Sequence, residues 1–424
     1  MLEIILDRRN LEKALRQVIA NGGSAGVDGM QTDELRDYLN NSYQELRQSV
    51  LSGAYVPLPV KSVSIPKPNG GTRQLGIPSV KDRLLQQAIS QWLSQFYEPH
   101  FSPSSYGFRP GRSAHQAVLQ GQHYLQEGKI WIVELDLASF FDRVNHDRLM
   151  STLARQIIDR RTLRLIRQYL NSGILQDGMV SQRTEGTPQG SPLSPLLSNI
   201  VLDELDKELE ERGLSFVRYA DDISLYVCSK KSANRVLKSI SKYIEDRLQL
   251  KVNESKSQVS RPWESQLLGF SFYRQNGEYK IRISPKSIVR VKRKCKVLTG
   301  RSNGLNTKQK LVKLSALILG WVNYFKLASA SRAISSLDQY VRTRLRMGIW
   351  KEWKHPRRRI ASLLKLGALK RDAIRWGNSS KGYCRIAHSR PLCIILNNGY
   401  LTKLGYTGFV LTYERLVKMQ TSLF

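Results

Sequence analysis

The chain has 424 residues, 41% of them hydrophobic, and carries 67 Lys and Arg against 35 Asp and Glu, a formal net charge of +32. That length allows a substantial core and two or three packed units, and the imbalance implies a polyanionic partner, either nucleic acid or an anionic membrane surface. No apolar run reaches the roughly 18–20 residues of a membrane span, and four scattered cysteines without a CxxC pair point to neither a zinc site nor a disulfide framework.

Glu3 and Asp7 interrupt the first apolar stretch, which argues against a secretory signal and leaves a reducing, cytoplasmic setting as the expectation. Residues 8–20 have helical spacing, and the loop after them, residues 21–29, holds four glycines, a mark of unusual backbone angles. Residues 60–77 alternate on both sides of Pro66-Lys67-Pro68-Asn69-Gly70-Gly71 and predict a β-hairpin. Asp82 to Tyr97 is helical by spacing, residues 130–137 and 216–227 are strand-like, and helices are expected over 147–158, 161–171, 196–212 and 231–248. Strands and helices interleave without a regular βαβ rhythm, which favours an α+β fold. Beyond about residue 285 the pattern turns helical and basic. Residues 281–424 hold 31 basic and 4 acidic side chains, whereas residues 1–280 hold 36 and 31. The first part therefore reads as an enzyme body and the last third as a module that grips nucleic acid.

The carboxylates carry the chemistry. Phe216 to Val227 places Asp221 and Asp222 between two β-prone runs. Neighbours in a continuous strand face opposite ways, so both acids reach one site only at a tight turn. Alone, the pair reads equally as metal ligation or as ordinary turn chemistry. In Ile130 to Leu137, Glu134 and Asp136 share one face of an apolar strand, a costly arrangement unless a metal or a wet edge compensates it. Asp142 and Asp147 suit helix capping, and His146 suits packing.

Asp136 within ELDLASFFDRVNHD, together with Tyr219-Ala220-Asp221-Asp222, resembles the palm of reverse transcriptases. Further segments match in order: SIPKPNGGTRQLGIPSVKDRLLQQAI, SYGFRPGRSAHQAV, GTPQGSPLSPLLSNIVLDELD and LKVNESKSQVSRPWESQLLGFSF. With Gly26-Val27-Asp28-Gly29 and Gly320 to Phe325 they resemble the group II intron-encoded reverse transcriptase/maturase family. The resemblance implies a right-hand polymerase: fingers and a palm of antiparallel sheet packed on helices, then a helical thumb/maturase domain. It divides the chain into an N-terminal extension (1–50), fingers and palm (51–280), a basic thumb/maturase domain (281–365) and a basic tail (366–424).

The same likeness assigns Asp136, Asp221 and Asp222 to two Mg²⁺ ions, with Mn²⁺ as a substitute. Lys67 and Arg73 would meet the triphosphate, Phe141 would reject a ribose 2′-hydroxyl, Gln189 would lie beside the nascent base pair, and Lys256 would lie near primer or nucleotide. Gly26, Arg109, Arg112, Arg293, Lys294, Arg342 and Arg346 would contact nucleic acid. Ser191 stands where many group II proteins have a second glycine. The chain ends without the Cys/His cluster of an HNH endonuclease, a short form similar to bacterial class C members. The implied partners are RNA template and primer, dNTPs, group II intron RNA and target DNA, with no membrane. A domesticated repair or defence enzyme and an RNA-binding splicing cofactor with a minor polymerase role are the rival readings.

Overall fold

In the computed structural model, which describes residues 1–66, 70–176 and 178–421, the chain divides into two units, Met1–Arg261 and Pro262–Phe424. Ten strands are assigned among the described residues: β1 (Val60–Pro66), β2 (Thr72–Ile77), β3 (Trp131–Asp136), β4 (Ile174–Gln176), β5 (Met179–Ser181), β6 (Ser215–Tyr219), β7 (Asp222–Val227), β8 (Gln258–Ser260), β9 (Phe270–Gln275) and β10 (Glu278–Ile283).

In the first unit, the helix Arg8–Asn21 starts at Asp7, whose carboxylate accepts from the Arg9 N–H, and buries Leu11, Ala14, Leu15 and Val18. Residues 60–66 and 72–77 pair as the two antiparallel strands of the expected hairpin, with Lys61 opposite Ile77 and Pro66 opposite Thr72. β1 also pairs in parallel with β4, which folds back as β5, giving a sheet in the order β2-β1-β4-β5. The helix predicted from Asp82 begins at Val80, because Ser79 caps it by accepting from the Asp82 N–H.

A second sheet, in the order β6-β7-β3-β8, is antiparallel throughout. The helices Ala114–Gln126, Ser194–Glu211 and Lys230–Asp246 pack on it. Ile132, Val133, Leu135, Phe216, Val217, Ile223 and Leu225 are all buried there; such side chains each contribute about 1.5–3 kcal/mol. The strand-like stretch 216–227 splits into β6 and β7 around Ala220 and Asp221, since Tyr219 pairs directly with Asp222. The outer edge of β6 is occupied by the segment Ser104–Tyr106: Arg218 N–H donates to the Ser104 carbonyl and Tyr106 N–H to the Arg218 carbonyl. The helix expected over 147–158 stops at Ala154, where the N–H groups of Gln156 and Ile157 both turn back to the Leu153 carbonyl.

The second unit opens with the antiparallel hairpin β9–β10 and continues as helices, the longest being Ser331–Glu352. Leu337, Val341, Leu345 and Ile349, spaced at helical intervals along it, are buried, Trp350 joins them, and Trp353, at the same spacing, is half-buried. Asp338, buried on this helix, accepts from Tyr406 Oη and Phe409 N–H, each at 2.8 Å, and pairs with Arg342 at 3.0 Å. Residues beyond 365 are thereby tied into this unit. Among the described residues no helix is long and apolar enough to cross a membrane. The fold is α+β: a palm of antiparallel sheet on helices with a fingers hairpin, followed by a helical region.

Candidate active site

The strand period fixes the acids. Glu134 and Asp136 lie on one face of β3, opposite Ser224 and Asp222 of β7. Asp136 and Asp222 therefore face each other across the ladder, a destabilising placement for like charges that lack a cation. Asp221 is the second residue of the two-residue turn. Its carboxyl is raised above the ordinary range by burial first and then by Asp136, with Arg73 and Lys256 opposing. Asp222 reaches solvent at the strand end, yet lost solvation, followed by the charges of Asp221 and Asp136, pushes it up to about 6.

Asp136 Oδ2 accepts from Asn253 Nδ2 at 2.9 Å and from Lys256 Nζ at 3.0 Å, and the Asp136 N–H donates to Ser257 Oγ. Among the described residues no three His, Cys, Asp or Glu side chains already stand together as metal ligands, and these bonds show what engages Asp136 instead. Asp136 and Asp221 line the cleft and Asp222 pairs with Asp136 across the ladder, and carboxylates are the donors that a hard divalent cation such as Mg²⁺ takes. Glu134 is engaged differently: it accepts from Gln258 Nε2 at 2.8 Å and Ser260 Oγ at 3.4 Å.

The turn that carries Asp221 rests on an arginine that sequence reasoning missed. Arg218, fully buried, forms a two-pronged ion pair with buried Asp206, Nε to Oδ1 at 2.7 Å and a terminal nitrogen to Oδ2 at 2.5 Å. Its other terminal nitrogen donates to Asn199 Oδ1 at 2.9 Å and to the Ala220 carbonyl at 3.1 Å. Ala220 sits at φ 58°, a left-handed conformation that two-residue hairpins require and alanine resists. Gly107 packs beneath it; a Cβ there would lie 2.2 Å from the Ala220 nitrogen. A charged residue inside the apolar run Phe216-Val217-Arg218-Tyr219 was the available signal.

Two lobes of space, about 760 and 730 Å³, flank this turn and share Arg73, Leu75, Gly76, Phe141, Gln189 and Asp221 in their walls. The first also touches Asp136, Asn253 and Lys256; the second touches Gly22, Gly23, Ser24, Arg83 and Phe108. The structure thus brings Arg73, Phe141, Gln189 and Lys256 together with the acids. Lys67 lies outside the described residues.

The expected nucleic-acid contacts separate into two kinds. Arg293 and Lys294 are exposed on the helix Pro285–Leu298, and exposed Arg112 lies over the Tyr106 ring at 5.7 Å. Arg109, by contrast, is buried, pairing with Glu98 at 2.8 Å and donating to the Ser102 and Ser105 carbonyls. Arg342 binds Asp338, and Arg346 donates to the Leu396 carbonyl at 2.9 Å. Gly26 is buried against Ser79, where a Cβ would come within 2.6 Å of the backbone. These four have intramolecular reasons for their identity. Asp142 lines the first lobe, Asp147 pairs with Arg167, and His146 is buried between Asn171 and the Gly186 carbonyl.

The family model described as "Reverse transcriptase (RNA-dependent DNA polymerase)" matches residues 65–272, and that for "Group II intron, maturase-specific domain" matches residues 288–366. Palm, acids and family match together define an RNA-directed DNA polymerase. "Protein YkfC" of Escherichia coli is 34% identical over 300 residues, covering 61% of this chain and 78% of that protein. "Group II intron-encoded protein LtrA" of Lactococcus lactis is 36% identical over 206 residues, covering 48% of this chain and 34% of its own. The chain thus spans most of YkfC but only a third of LtrA. Among solved structures, the "Partial Cas6-RT-Cas1--Cas2 complex" matches 58% of this chain and 42% of that one, at 25% identity with a TM-score of 0.37. The chain belongs to the group II intron reverse transcriptase/maturase family.

Proposed function

We propose that this chain extends a primer 3′-hydroxyl with dNTPs on an RNA template, and that it also binds group II intron RNA to assist splicing and retrohoming into target DNA. The observation that carries the reading is the opposition of Asp136 and Asp222 across β3 and β7, with Asp221 beside them at the mouth of a divided cleft. These three carboxylates would hold two Mg²⁺ ions, or Mn²⁺ in their place. Bound there, the ions lower the pKa of the attacking hydroxyl and neutralise charge on the triphosphate.

The chain's own side chains supply position and charge. Arg73, exposed on β2 at the rim shared by both lobes, meets the triphosphate, and Lys67 is assigned the same role. Phe141, on the wall common to both lobes, occupies the space a ribose 2′-hydroxyl would need. Gln189 borders the pair being formed. Lys256 neutralises Asp136 at 3.0 Å and is released towards primer or nucleotide. Within residues 281–365, exposed Arg293 and Lys294 grip RNA phosphates, and Arg112 of the fingers and palm region (51–280) contacts the template backbone. Residues 1–50 flank the template as an extension, and residues 366–424 complete the basic helical part.

Primer extension on an RNA template with Mg²⁺ tests this directly. Asp221→Ala should lower the rate by about 10³-fold or more, since several kcal/mol of charge stabilisation are removed, while template binding stays within a few-fold. Equal rates for the variant and the wild type would refute the assignment.

A further inference from the structure

Gln189 lines both lobes of the cleft, so whatever fixes its height controls the wall between them. The segment from Pro188 to Ser194 is stitched down on both sides. The Gly76 N–H donates to the Gln189 carbonyl at 2.8 Å, and Ser194 Oγ donates to the Pro188 carbonyl at 2.8 Å. Gly190, at φ 122°, passes so close to β2 that a Cβ would lie 2.6 Å from the Gly76 carbonyl oxygen. The third tie is a side-chain bond. Ser191 Oγ donates to Gln86 Oε1 at 2.8 Å and accepts from the Leu193 N–H at 3.2 Å; Ser191 is 6% exposed and Gln86 2%.

Gln86 is on the helix Val80–Tyr97, three residues after Arg83, and residues at that spacing share a helix face. Arg83 holds another stretch of the second lobe's lining, donating to the carbonyls of Gly22 at 3.3 Å and Ser24 at 2.6 Å. One face of one helix therefore ties two separate stretches of the second lobe's lining. Gln86 itself does not line the cleft, and its influence on the site passes through Ser191.

We propose that Ser191 and Gln86 form a positioning pair that fixes Gln189 and so sets how tightly the incoming nucleotide is held; this rests on the polymerase reading above. Removing the Ser191 hydroxyl leaves a buried amide oxygen without its donor, a state the local backbone relieves by shifting. The shift moves the wall of the nucleotide site but leaves the acids on β3 and β7 in place. The effect therefore falls on nucleotide binding more than on the chemical step.

Steady-state primer extension with one varied dNTP, on the full chain and at a temperature where melting shows each variant folded, reads this out. Ser191→Ala and Gln86→Met should each raise the KM for dNTP about fivefold, the factor one hydrogen bond of ordinary net strength supplies. Their kcat should stay within about twofold, and the double variant should be no worse than either single one. Ser191→Thr, which keeps the hydroxyl, should return KM towards the wild-type value. An unchanged KM, a loss confined to kcat, or additive effects in the double variant would overturn the pairing. A wild-type chain that extends no primer overturns the polymerase reading and this inference with it. An active wild type with KM unmoved in the variants overturns this inference alone.

Discussion

Replacing Arg218 by methionine separates stability from catalysis at the turn that carries Asp221. Arg218 and Asp206 are both fully buried, and the guanidinium makes four hydrogen bonds there, two to Asp206 and one each to Asn199 and the Ala220 carbonyl. Arg218→Met keeps much of the volume but strands a carboxylate and an amide oxygen without their donor. Removing one member of such a pair costs about 3–5 kcal/mol, because the remaining charge is uncompensated. Asp206→Leu combined with Arg218→Met removes both charges and should recover most of that loss, leaving about 1–2 kcal/mol for the Asn199 and Ala220 oxygens that still lack a donor. It does not restore the bond to the Ala220 carbonyl, so the turn is held less firmly. Residues that orient metal ligands from behind typically change activity about 10–100-fold, and the double variant should lose kcat in that range. Denaturant titration of the full chain gives the first quantity and primer extension the second. A single variant that loses under about 1 kcal/mol, or a double variant that regains both stability and full kcat, would show that Arg218 does not brace the turn.

Two further outcomes follow from charges placed elsewhere. Asp159 accepts from the N–H groups of Leu2 and Arg161. Burial pushes its carboxyl up, but these bonds and the Arg161 charge outweigh that and hold it near 2. Its folded value lies below the unfolded one of about 3.9. The stabilisation, about 1–2 kcal/mol, is therefore full above about pH 4 and disappears as pH falls through 2. The melting difference between wild type and Asp159→Asn should shrink from pH 5 to pH 2.5; a constant difference contradicts this. In the second unit, replacing exposed Arg293 and Lys294 with alanine should weaken RNA binding and reduce the slope of log K against log salt by about 1.5. An unchanged slope would place the RNA contact elsewhere.

What the sequence made legible follows from how local each feature is. The hairpin at 60–77 and the buried stripe of Leu337, Val341, Leu345 and Ile349 are set by alternation and helical spacing, and both are present in the fold. The approach of Asp136 to Asp221 and Asp222 joins distant segments, and only the ordered family motifs announced it. Spacing alone left the Asp-Asp pair divided between turn chemistry and metal ligation. The arginines mark the boundary of such reading. Composition records Arg109, Arg342 and Arg346 as cations, but whether a guanidinium meets solvent depends on a carboxylate or carbonyl brought to it by tertiary folding. Arg109 finds Glu98, Arg342 finds Asp338, and Arg346 finds the Leu396 carbonyl. Arg218 escaped for the same reason, since its partners Asn199 and Asp206 lie on a helix well before it in the chain, on one face seven residues apart.

The segment Ser104–Tyr106 along β6 has a meaning beyond support of the turn. An open strand edge is a template on which other chains can pair, and β6 is the outermost strand on its side of the palm sheet. Backbone bonds from Ser104 and Tyr106 to Arg218 occupy that edge, while Gly107 presses against Ala220. The same few residues therefore keep the Asp221 turn in shape and cover the edge on which neighbouring chains could pair. Damage to this segment would therefore join distortion of the Asp221 turn to exposure of a strand edge on which other chains can pair.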